Sequence, residues 1–408
     1  MATELRESLR ALAKEAALYP QESLAPIEKS RNQLFIGIPK ETTAFENRVP
    51  LTPESVSLLV KNGHDVWLET GAGSPSKFTD RQYSEAGAKI IYSPNEVYQA
   101  DVVIKIQPPT IEEIEMMKKG RTLISTVQLA ALNNDYLNCL LSNKITSIAF
   151  EFIEDKVGGV PVVRAMSEIA GSTVMLIASE YLNTTNNGKG VILGGITGVP
   201  PTKVVILGAG TVSEYAARTA IGLGAEVKIF DNHIYKLRRL KQNLNHQIFT
   251  STIDDIILTE ALKEADVVIG ALRAEDDRSP CVVSEEMVSK MKSNSVIIDV
   301  SIDQGGCFET SSVTNHKNPI FKKYDVIHYC VPNIASRVAH TASLALSNIF
   351  TPVFMQMDKY GGVEGLIYNK EWFMKGIYTY KGHLTHYAIA KRFCMNYRDM
   401  RLFVAARG

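Results

Sequence analysis

The sequence predicts an α/β protein with two doubly wound, largely parallel sheets. Two observations carry this prediction. Apolar strands alternate with amphipathic helices along the chain, and the alternation restarts once after a polar loop at residues 183–190. Such alternation is typical of parallel sheets covered by helices on both faces. The 408 residues leave room for two or three domains of ordinary size.

The first series of elements follows a short amphipathic helix predicted at residues 5–16. Thr52, Pro53 and Glu54 provide an N-cap, a first-turn proline and a first-turn acid, so a helix is predicted from Pro53 to about Gly63. The predicted strands are 34–38, 65–68, 89–92, 101–106, 123–127 and 146–152, and the other predicted helices are 80–86, 111–119 and 135–142.

The second series begins after a long helix predicted at residues 166–182. Its predicted strands are 204–207, 227–230, 267–271, 296–300 and 326–331, and its predicted helices are 212–223, 235–244 and 285–291. Residues 338–357 form a helix that is apolar on more than one face. We therefore expect it to be buried between domains or at a subunit contact.

Composition argues against several classes of partner. Lys+Arg and Asp+Glu both number 44, so no net charge attracts nucleic acid. The apolar runs are shorter than the roughly 18 residues of a membrane span, and residues 1–29 lack the apolar core of a signal peptide. We expect a cytoplasmic protein without a membrane partner. Its five scattered cysteines predict reduced thiols, and no metal site is expected.

A dinucleotide-binding fingerprint follows the first strand of the second series. Gly208 and Gly210 would form a tight turn and admit a pyrophosphate, and Thr211 opens the following helix, whose N-terminus favours anions. Ser213 occupies the third position, where a small residue is needed. Asp231 ends the next strand, 21 residues after Gly210, where a carboxylate binds the ribose hydroxyls. This spacing predicts NAD rather than NADP.

Several motifs make the chain resemble the alanine dehydrogenase and proton-translocating transhydrogenase α-subunit family. The matching strings are GIPKE at 37–41, RVPLTP at 48–53, GAG at 71–73, FTD at 78–80, MSEIAG at 166–171, IDQGGCFE at 302–309 and VPN at 331–333. They run in family order from about residue 34 to residue 385. The string DQGGCFE resembles alanine dehydrogenases especially.

The resemblance implies a domain arrangement that agrees with the two α/β series. Residues 1–30 would be a helical extension, residues 31–165 and 335–408 a discontinuous substrate domain, and residues 166–334 a central NAD-binding Rossmann domain. Catalysis would take place in the cleft between the two domains. The family also forms closed homo-oligomers, so a hexamer or dimer is implied.

The resemblance also implies roles for individual residues. Arg48 would bind the substrate carboxylate, as suits a planar bidentate donor. Asp303, just past a strand of the second series, would lie beside the nicotinamide and the substrate. The remaining implied cofactor contacts are Asn333 at the nicotinamide, Ser167 near the pyrophosphate, Leu272 at the adenine-to-nicotinamide wall and Lys236 beside the adenosine ribose.

Two positions depart from the alanine dehydrogenase pattern. Gln107 replaces a substrate-binding lysine, and Gln128 replaces the histidine proposed as acid/base. Glutamine donates and accepts hydrogen bonds but does not exchange protons at neutral pH. Lys105, two positions before Gln107, would face the same side of an extended strand and would then replace the lysine in part. His328 and His340 are the histidines expected closest to the cleft.

The leading hypothesis is NAD-dependent, reversible oxidative deamination of L-alanine to pyruvate and ammonium. Arg48 would hold the carboxylate, Gln107 and Gln128 would orient the carbonyl or amine, and Asp303 would handle water or ammonia. One alternative is an NAD(H)-binding protein without dehydrogenase activity, such as a transhydrogenase-like subunit or a sensor. Another is a dehydrogenase for a different amino acid, for example a saccharopine-type substrate.

Overall fold

The computed structural model describes residues 33–406 except 130–131, 156 and 274–278, so the helix predicted at residues 5–16 lies outside the described residues. The strands are β1 (Phe35–Ile38), β2 (Asp65–Glu69), β3 (Lys89–Ile91), β4 (Val102–Ile104), β5 (Thr122–Ser125), β6 (Thr146–Ala149), β7 (Lys203–Leu207), β8 (Glu226–Phe230), β9 (Phe249–Ser251), β10 (Val267–Gly270), β11 (Val296–Asp299), β12 (Ile320–Lys323), β13 (Val326–Tyr329), β14 (Ile377–Tyr380) and β15 (His383–Leu384).

The helices alternate with these strands. They are α1 (Pro53–Lys61), α2 (Asp80–Glu85), α3 (Pro94–Val97), α4 (Ile111–Met116), α5 (Asn134–Ser142), α6 (Pro161–Leu182), α7 (Thr211–Gly222), α8 (Ile234–Leu244), α9 (Asp255–Glu264), α10 (Glu285–Ser289), α11 (Ala339–Lys359), α12 (Val363–Asn369), α13 (Glu371–Met374), α14 (Tyr387–Arg392) and α15 (Met400–Ala405).

Two sheets confirm the predicted fold class. The first has the order β15-β14-β6-β5-β4-β1-β2-β3, and the second has the order β12-β13-β11-β10-β7-β8-β9. All pairings are parallel except those of β14 with β6, β15 with β14, and β12 with β13. The first sheet therefore receives strands from both ends of the described chain.

Each sheet reverses its strand order at one place. In the first sheet the chain moves from β1 to β2 and β3 and then places β4 on the other side of β1. In the second sheet β10 returns to the free side of β7 in the same way. Ligands of doubly wound folds bind at the carboxyl ends of strands at such a reversal. We therefore expect ligand sites at the loops after β1 and β4 and at those after β7 and β10.

Several predicted boundaries were wrong, and the differences matter at these strand ends. The strands β4, β5 and β6 end two or three residues earlier than predicted, because the chain leaves the sheet and enters loops or a 3-10 turn. Helix α6 begins at Pro161 rather than at residue 166, since that proline fits the first helical turn. Thr52 stands at the N-cap of α1 as predicted, but its side chain does not cap the helix.

A row of serines fixes the irregular segment between β1 and α1. Backbone N–H groups of Asn47, Val49 and Thr52 donate to the hydroxyls of Ser336, Ser343 and Ser347, each at 2.9 Å. Unpaired buried N–H groups are costly, so these serines determine the path of the segment that carries Arg48.

Two helical stretches, Pro161–Leu182 and Ile334–Lys359, are long and apolar enough to cross a membrane by length and composition. Both are partly buried in this fold, where α6 packs against α7 and α11 packs against α6. The core helices of folded domains pass the same test, so the two stretches are weak evidence for a membrane span.

Candidate active site

Glu46, which the sequence analysis did not single out, is the centre of a polar cluster at the reversal point of the first sheet. Its carboxylate accepts two hydrogen bonds from the Arg48 guanidinium, from Nε to Oε1 at 2.8 Å and from Nη2 to Oε2 at 2.6 Å. Oε2 also accepts the Gln107 amide at 2.6 Å and the Asn333 amide at 2.9 Å. The cluster thus joins the end of β4 to the loop that follows β13 in the second sheet.

The neighbours of Glu46 stabilise its ionised form. Burial opposes that charge, but the Arg48 guanidinium and the hydrogen bonds from Arg48 and Gln107 outweigh burial and lower the pKa of Glu46 to about 2. The buried pair is therefore ionised across the physiological range. Nε of Arg48 and one hydrogen of Nη2 are committed to Glu46, while Nη1 contacts the Met166 sulfur of α6 at 3.4 Å. Nη1 remains suited to an incoming carboxylate.

Gln107 and Gln128, the two positions expected to depart from the alanine dehydrogenase pattern, lie in direct contact. The Gln128 amide donates to Gln107 Oε1, and the Gln107 amide donates to Glu46. Arg48, Gln107, Gln128 and Asn333 are therefore brought together, as far as the described residues show, through one carboxylate. Both Gln128 and Asn333 have a positive φ, 43° and 59°. Such strain in residues other than glycine is concentrated at functional sites.

Lys105 does not replace the missing lysine. The chain leaves β4 at Ile104, and the Lys105 side chain is completely buried, with Nζ 2.8 Å from Glu113 and 4.0 Å from Glu41. Lys105 was expected to share a face with Gln107 and to replace the lysine in part, but its amine is committed to buried carboxylates, whereas the Gln107 amide donates to Glu46. Lys105 instead belongs to a buried ion-pair network with Glu41 and Glu113.

The two histidines expected near the cleft make structural contacts. Nε2 of His328 lies 2.8 Å from the Thr310 hydroxyl and its Nδ1 lies 3.0 Å from the Val326 carbonyl, while His340 Nδ1 lies 2.8 Å from the Ser76 carbonyl. A different histidine is closer to the cluster. The His316 ring lies 6.0 Å from that of Phe45, next to Glu46, and desolvation lowers its pKa.

The glycine turn lies at the reversal point of the second sheet. Gly208 has a φ of +107°, and a Cβ there would lie 2.5 Å from the Ala271 carbonyl oxygen at the end of β10. Gly210 faces open space, and Thr211 begins α7. The Ser213 hydroxyl in the first turn of α7 is buried, and no partner for it is found among the described residues. These features fit a bound pyrophosphate.

Asp231 follows β8 and faces the glycine turn. One carboxylate oxygen accepts the Ala209 N–H at 2.7 Å, and the other accepts the His233 N–H at 2.7 Å. The Lys236 amine lies 3.4 Å from Nδ1 of His233, which places it beside Asp231. A carboxylate at this point lies within the region that an adenosine ribose occupies in such folds.

Asp303 and Ser167, the other two residues expected near the substrate and cofactor, lie on other elements. Asp303 lies in the Ile302–Gln304 turn after β11, and the Ser301 hydroxyl at the start of that turn donates to the Leu272 carbonyl at 2.7 Å. Solvent reaches the Asp303 side chain, yet the surrounding protein desolvates its carboxyl group and raises its pKa. Ser167 lies on α6, one residue after Met166, which touches Arg48. Among the described residues, no hydrogen bond joins Asp303 or Ser167 to the Glu46 cluster.

A cleft of about 300 Å³ adjoins the glutamine pair. It lies between the loops after β4 and β5, and the described side chains that line it carry no charge. The lining residues are Thr43, Gln107, Pro108, Pro109, Thr110, Ile111, Val127, Gln128, Leu132, Asn133 and Tyr136.

Comparison with known proteins places this geometry in a family. Residues 37–170 match the family model "Alanine dehydrogenase/PNT, N-terminal domain", and residues 174–387 match "Alanine dehydrogenase/PNT, C-terminal domain". The chain is 40% identical to the alanine dehydrogenase of Bacillus subtilis, over 88% of this chain and 94% of that protein. It is 39% identical to the alanine dehydrogenase of Methanococcus maripaludis, over 88% and 96% of the two chains.

Solved structures agree with these matches. An L-alanine dehydrogenase superposes with a TM-score of 0.83 at 36% identity, covering 88% of this chain and 99% of that one. A transhydrogenase from Sinorhizobium meliloti has a TM-score of 0.73 at 24% identity, which shows a shared fold. Matches to both family models and to relatives across most of their length lead to one conclusion: the chain belongs to the alanine dehydrogenase/PNT family.

Proposed function

We propose that this protein catalyses the reversible, NAD-dependent oxidative deamination of L-alanine to pyruvate and ammonium. The observation that carries the proposal is the Glu46 cluster, which joins Arg48 and Gln107 of the first sheet to Asn333 of the second. A carboxylate-binding arginine and the end of a nucleotide-binding sheet thereby meet at one point. The alanine dehydrogenases to which the chain is similar support this choice of substrate.

NAD is the proposed cofactor, and the residues present fit it. The open space at Gly210, the buried Ser213 hydroxyl and the Asp231 carboxylate match a pyrophosphate and an unphosphorylated ribose. A 2′-phosphate would meet the like charge of Asp231, which favours NAD over NADP. When bound, the nicotinamide supplies hydride chemistry.

The chain's own residues would bind and orient the substrate. Arg48, held in place by Glu46, presents Nη1 to the substrate carboxylate. Gln107 and Gln128 supply amides that hold the carbonyl or amine by hydrogen bonds, although neither exchanges a proton. Alignment of the substrate with the nicotinamide is the main contribution of this cluster.

Proton handling would fall to Asp303. Its raised pKa and its contact with solvent suit a group that exchanges protons with water or ammonia. Its turn is tied to Leu272, which adjoins Gly208 at the glycine turn. We further propose that the enzyme works in the cytoplasm as a homo-oligomer.

The proposed function is tested by following NADH absorbance with purified protein, pyruvate and ammonium. Oxidation of NADH is expected only when NADH, pyruvate and ammonium are all present. The amount of alanine formed should equal the amount of NADH oxidised. Protein that binds NADH but oxidises none with any 2-oxo acid would favour the alternative of an NAD(H)-binding protein without dehydrogenase activity.

A second candidate function, a dehydrogenase for a larger uncharged amino acid, is favoured by the cleft beside Gln107 and Gln128. The cleft, about 300 Å³ in volume, is lined in part by apolar side chains, among them Ile111, Val127 and Leu132, which suit an aliphatic side chain. Its uncharged lining opposes substrates with charged side chains, including the saccharopine type. The same assay with longer aliphatic 2-oxo acids and with 2-oxoglutarate separates the two functions, since the larger-substrate enzyme would oxidise NADH faster with the aliphatic acids than with pyruvate.

The glycine turn offers a matched pair of variants that tests the cofactor proposal. Gly210→Ala places a methyl group in open space at an ordinary φ of −87°, so thermal stability should be unchanged. Because that space is where the pyrophosphate would lie, NADH affinity should fall about tenfold or more. Gly208→Ala should lower both stability and affinity, since its Cβ meets the Ala271 backbone. Unchanged NADH affinity in Gly210→Ala would contradict the assignment.

A further inference from the structure

The three loops that follow the adjacent parallel strands β4, β5 and β6 carry Gln107, Gln128 and Glu151 in turn. These strands pair in register, with Ile104 opposite Ile124 and Ser125 opposite Ala149. The three side chains therefore leave the sheet at the same edge, next to the cleft beside the glutamine pair. Gln107 and Gln128 belong to the proposed site, whereas Glu151 has no role in the mechanism described above.

Glu151 holds the loop that carries Gln128. Its Oε1 accepts the Val127 N–H at 2.7 Å, one residue before Gln128. On the opposite side, the Thr126 N–H and hydroxyl both donate to the Ile106 carbonyl at 3.0 Å. The loop is thus fixed from two neighbouring strand ends, and between them Gln128 adopts its positive φ of 43°.

The second oxygen of Glu151 marks this carboxyl group as unusual. Oε2 is buried, and no partner for it is found in the part of the chain that the structure describes. A buried carboxylate oxygen without a partner costs the fold free energy. Desolvation accordingly raises the pKa of Glu151 to about 6. Burial, together with the charge of Glu151, raises the pKa of Tyr378 in β14 to about 12. The hydroxyl of Tyr136 in α5 lies 3.4 Å from the hydroxyl of Tyr378.

The direction of the pKa shift of Glu151 distinguishes a role in folding from a role in the reaction. Because the folded state binds the Glu151 proton more tightly than the unfolded state, this group's contribution to stability falls as pH rises from 4.5 to about 6. Above pH 6 the ionised carboxylate destabilises the fold. A charge that the fold itself disfavours points to a functional use.

We propose that Glu151 is a positioning residue for the reaction, which acts through Gln128: its ionised carboxylate holds the 126–128 loop in the strained conformation that keeps Gln128 against Gln107. Only the kinetic effects that this inference predicts rest on the proposed function. Glu41 makes the equivalent contacts with the preceding loop, where it accepts the Ile106 N–H at 2.5 Å and the Gln107 N–H at 3.3 Å. Each glutamine is thus held by its own buried carboxylate.

The test compares Glu151→Gln and Glu151→Ala with the wild type. The amide of Glu151→Gln keeps an acceptor for Val127 but loses the charge, and a charge-assisted hydrogen bond is roughly twice as strong as a neutral one. We expect kcat with pyruvate to fall about tenfold in Glu151→Gln and about a hundredfold in Glu151→Ala, with the KM for NADH unchanged. The melting temperature of Glu151→Gln at pH 8 should equal or exceed that of the wild type.

The matched control is Glu154→Gln, three residues along the chain. Glu154 pairs at 2.6 Å with Lys375, and both side chains are partly exposed, so this variant should keep wild-type kcat. Wild-type kcat in Glu151→Gln and Glu151→Ala, or a parallel loss of stability and NADH binding, would overturn the proposal.

Hydrogen exchange gives a readout that does not depend on turnover. The amides of Val127 and Gln128 should exchange faster in Glu151→Ala than in the wild type at pH 8, whereas those of β5 should not. This measurement tests the role of Glu151 even if the wild-type protein oxidises no NADH, an outcome that would count against the proposed function alone. Unchanged exchange at Val127 and Gln128 would overturn the proposal.

Discussion

Replacement of Glu46 by alanine is expected to lower the free energy of unfolding by about 3–5 kcal/mol and to abolish turnover. Removal of the carboxylate would leave the Arg48 guanidinium buried without its partner, and the amides of Gln107 and Asn333 would lose their common acceptor. Denaturant unfolding measures the first effect, and NADH oxidation measures the second.

The double variant Glu46→Ala/Arg48→Met is the control for this prediction. It should be more stable than Glu46→Ala alone, because an apolar side chain replaces the unpaired charge. The pH dependence has a defined sign. Because the folded pKa of Glu46 is lowered from 4.5 to about 2, its contribution is complete above pH 4.5 and is lost as pH falls toward 2. Equal destabilisation of single and double variants would contradict this account of the pair.

Replacement of Asp303 by alanine is expected to reduce turnover by about 10²–10⁴-fold while NADH binding is retained. The residue lies in a turn after β11 and outside the hydrogen bonds of the glycine turn, so cofactor affinity should not depend on it. Its carboxyl group is the proposed proton-handling group, since Gln107 and Gln128 cannot take that role. NADH binding by fluorescence and turnover by absorbance measure the two effects separately.

The conservative variant Asp303→Asn sharpens this experiment. An amide keeps the size and hydrogen-bonding capacity of the side chain but cannot exchange a proton, so it should be as inactive as alanine. Turnover close to wild type in Asp303→Asn would exclude the residue from proton handling and leave His316, next to the Glu46 cluster, as the candidate for that role.

Local sequence patterns predicted many of the helices and strands and the glycine turn, because the residues that determine such features lie close together in the chain. Gly208 and Gly210 follow an apolar strand and precede a helix, and the structure places both at the carboxyl end of β7. The strands β4, β5 and β6 were predicted too long, since apolar residues such as Val127 continue the strand pattern after the backbone has left the sheet. The buried strand β14 was not predicted, although its aromatic and β-branched residues are typical of a strand.

The polar cluster could not be predicted from local patterns. Glu46 meets Gln107 61 residues away and Asn333 287 residues away, distances over which sequence spacing carries no information. The role expected of Lys105 was likewise decided by contacts outside its own strand. Its spacing from Gln107 suggested a shared face, but its amine pairs with the buried Glu113 carboxylate, whereas the Gln107 amide donates to Glu46. Side chains at the ends of strands depend on loop geometry, which tertiary contacts decide.

Transfer of deuterium from NADH labelled at both C4 positions tests the central claim most directly. The claim is that a site built on the uncharged amides of Gln107 and Gln128 aligns the substrate for hydride transfer. With pyruvate and ammonium, the account predicts alanine that carries one deuterium at Cα, detected by mass spectrometry. Alanine without deuterium, or no alanine from protein that binds NADH, would contradict the account.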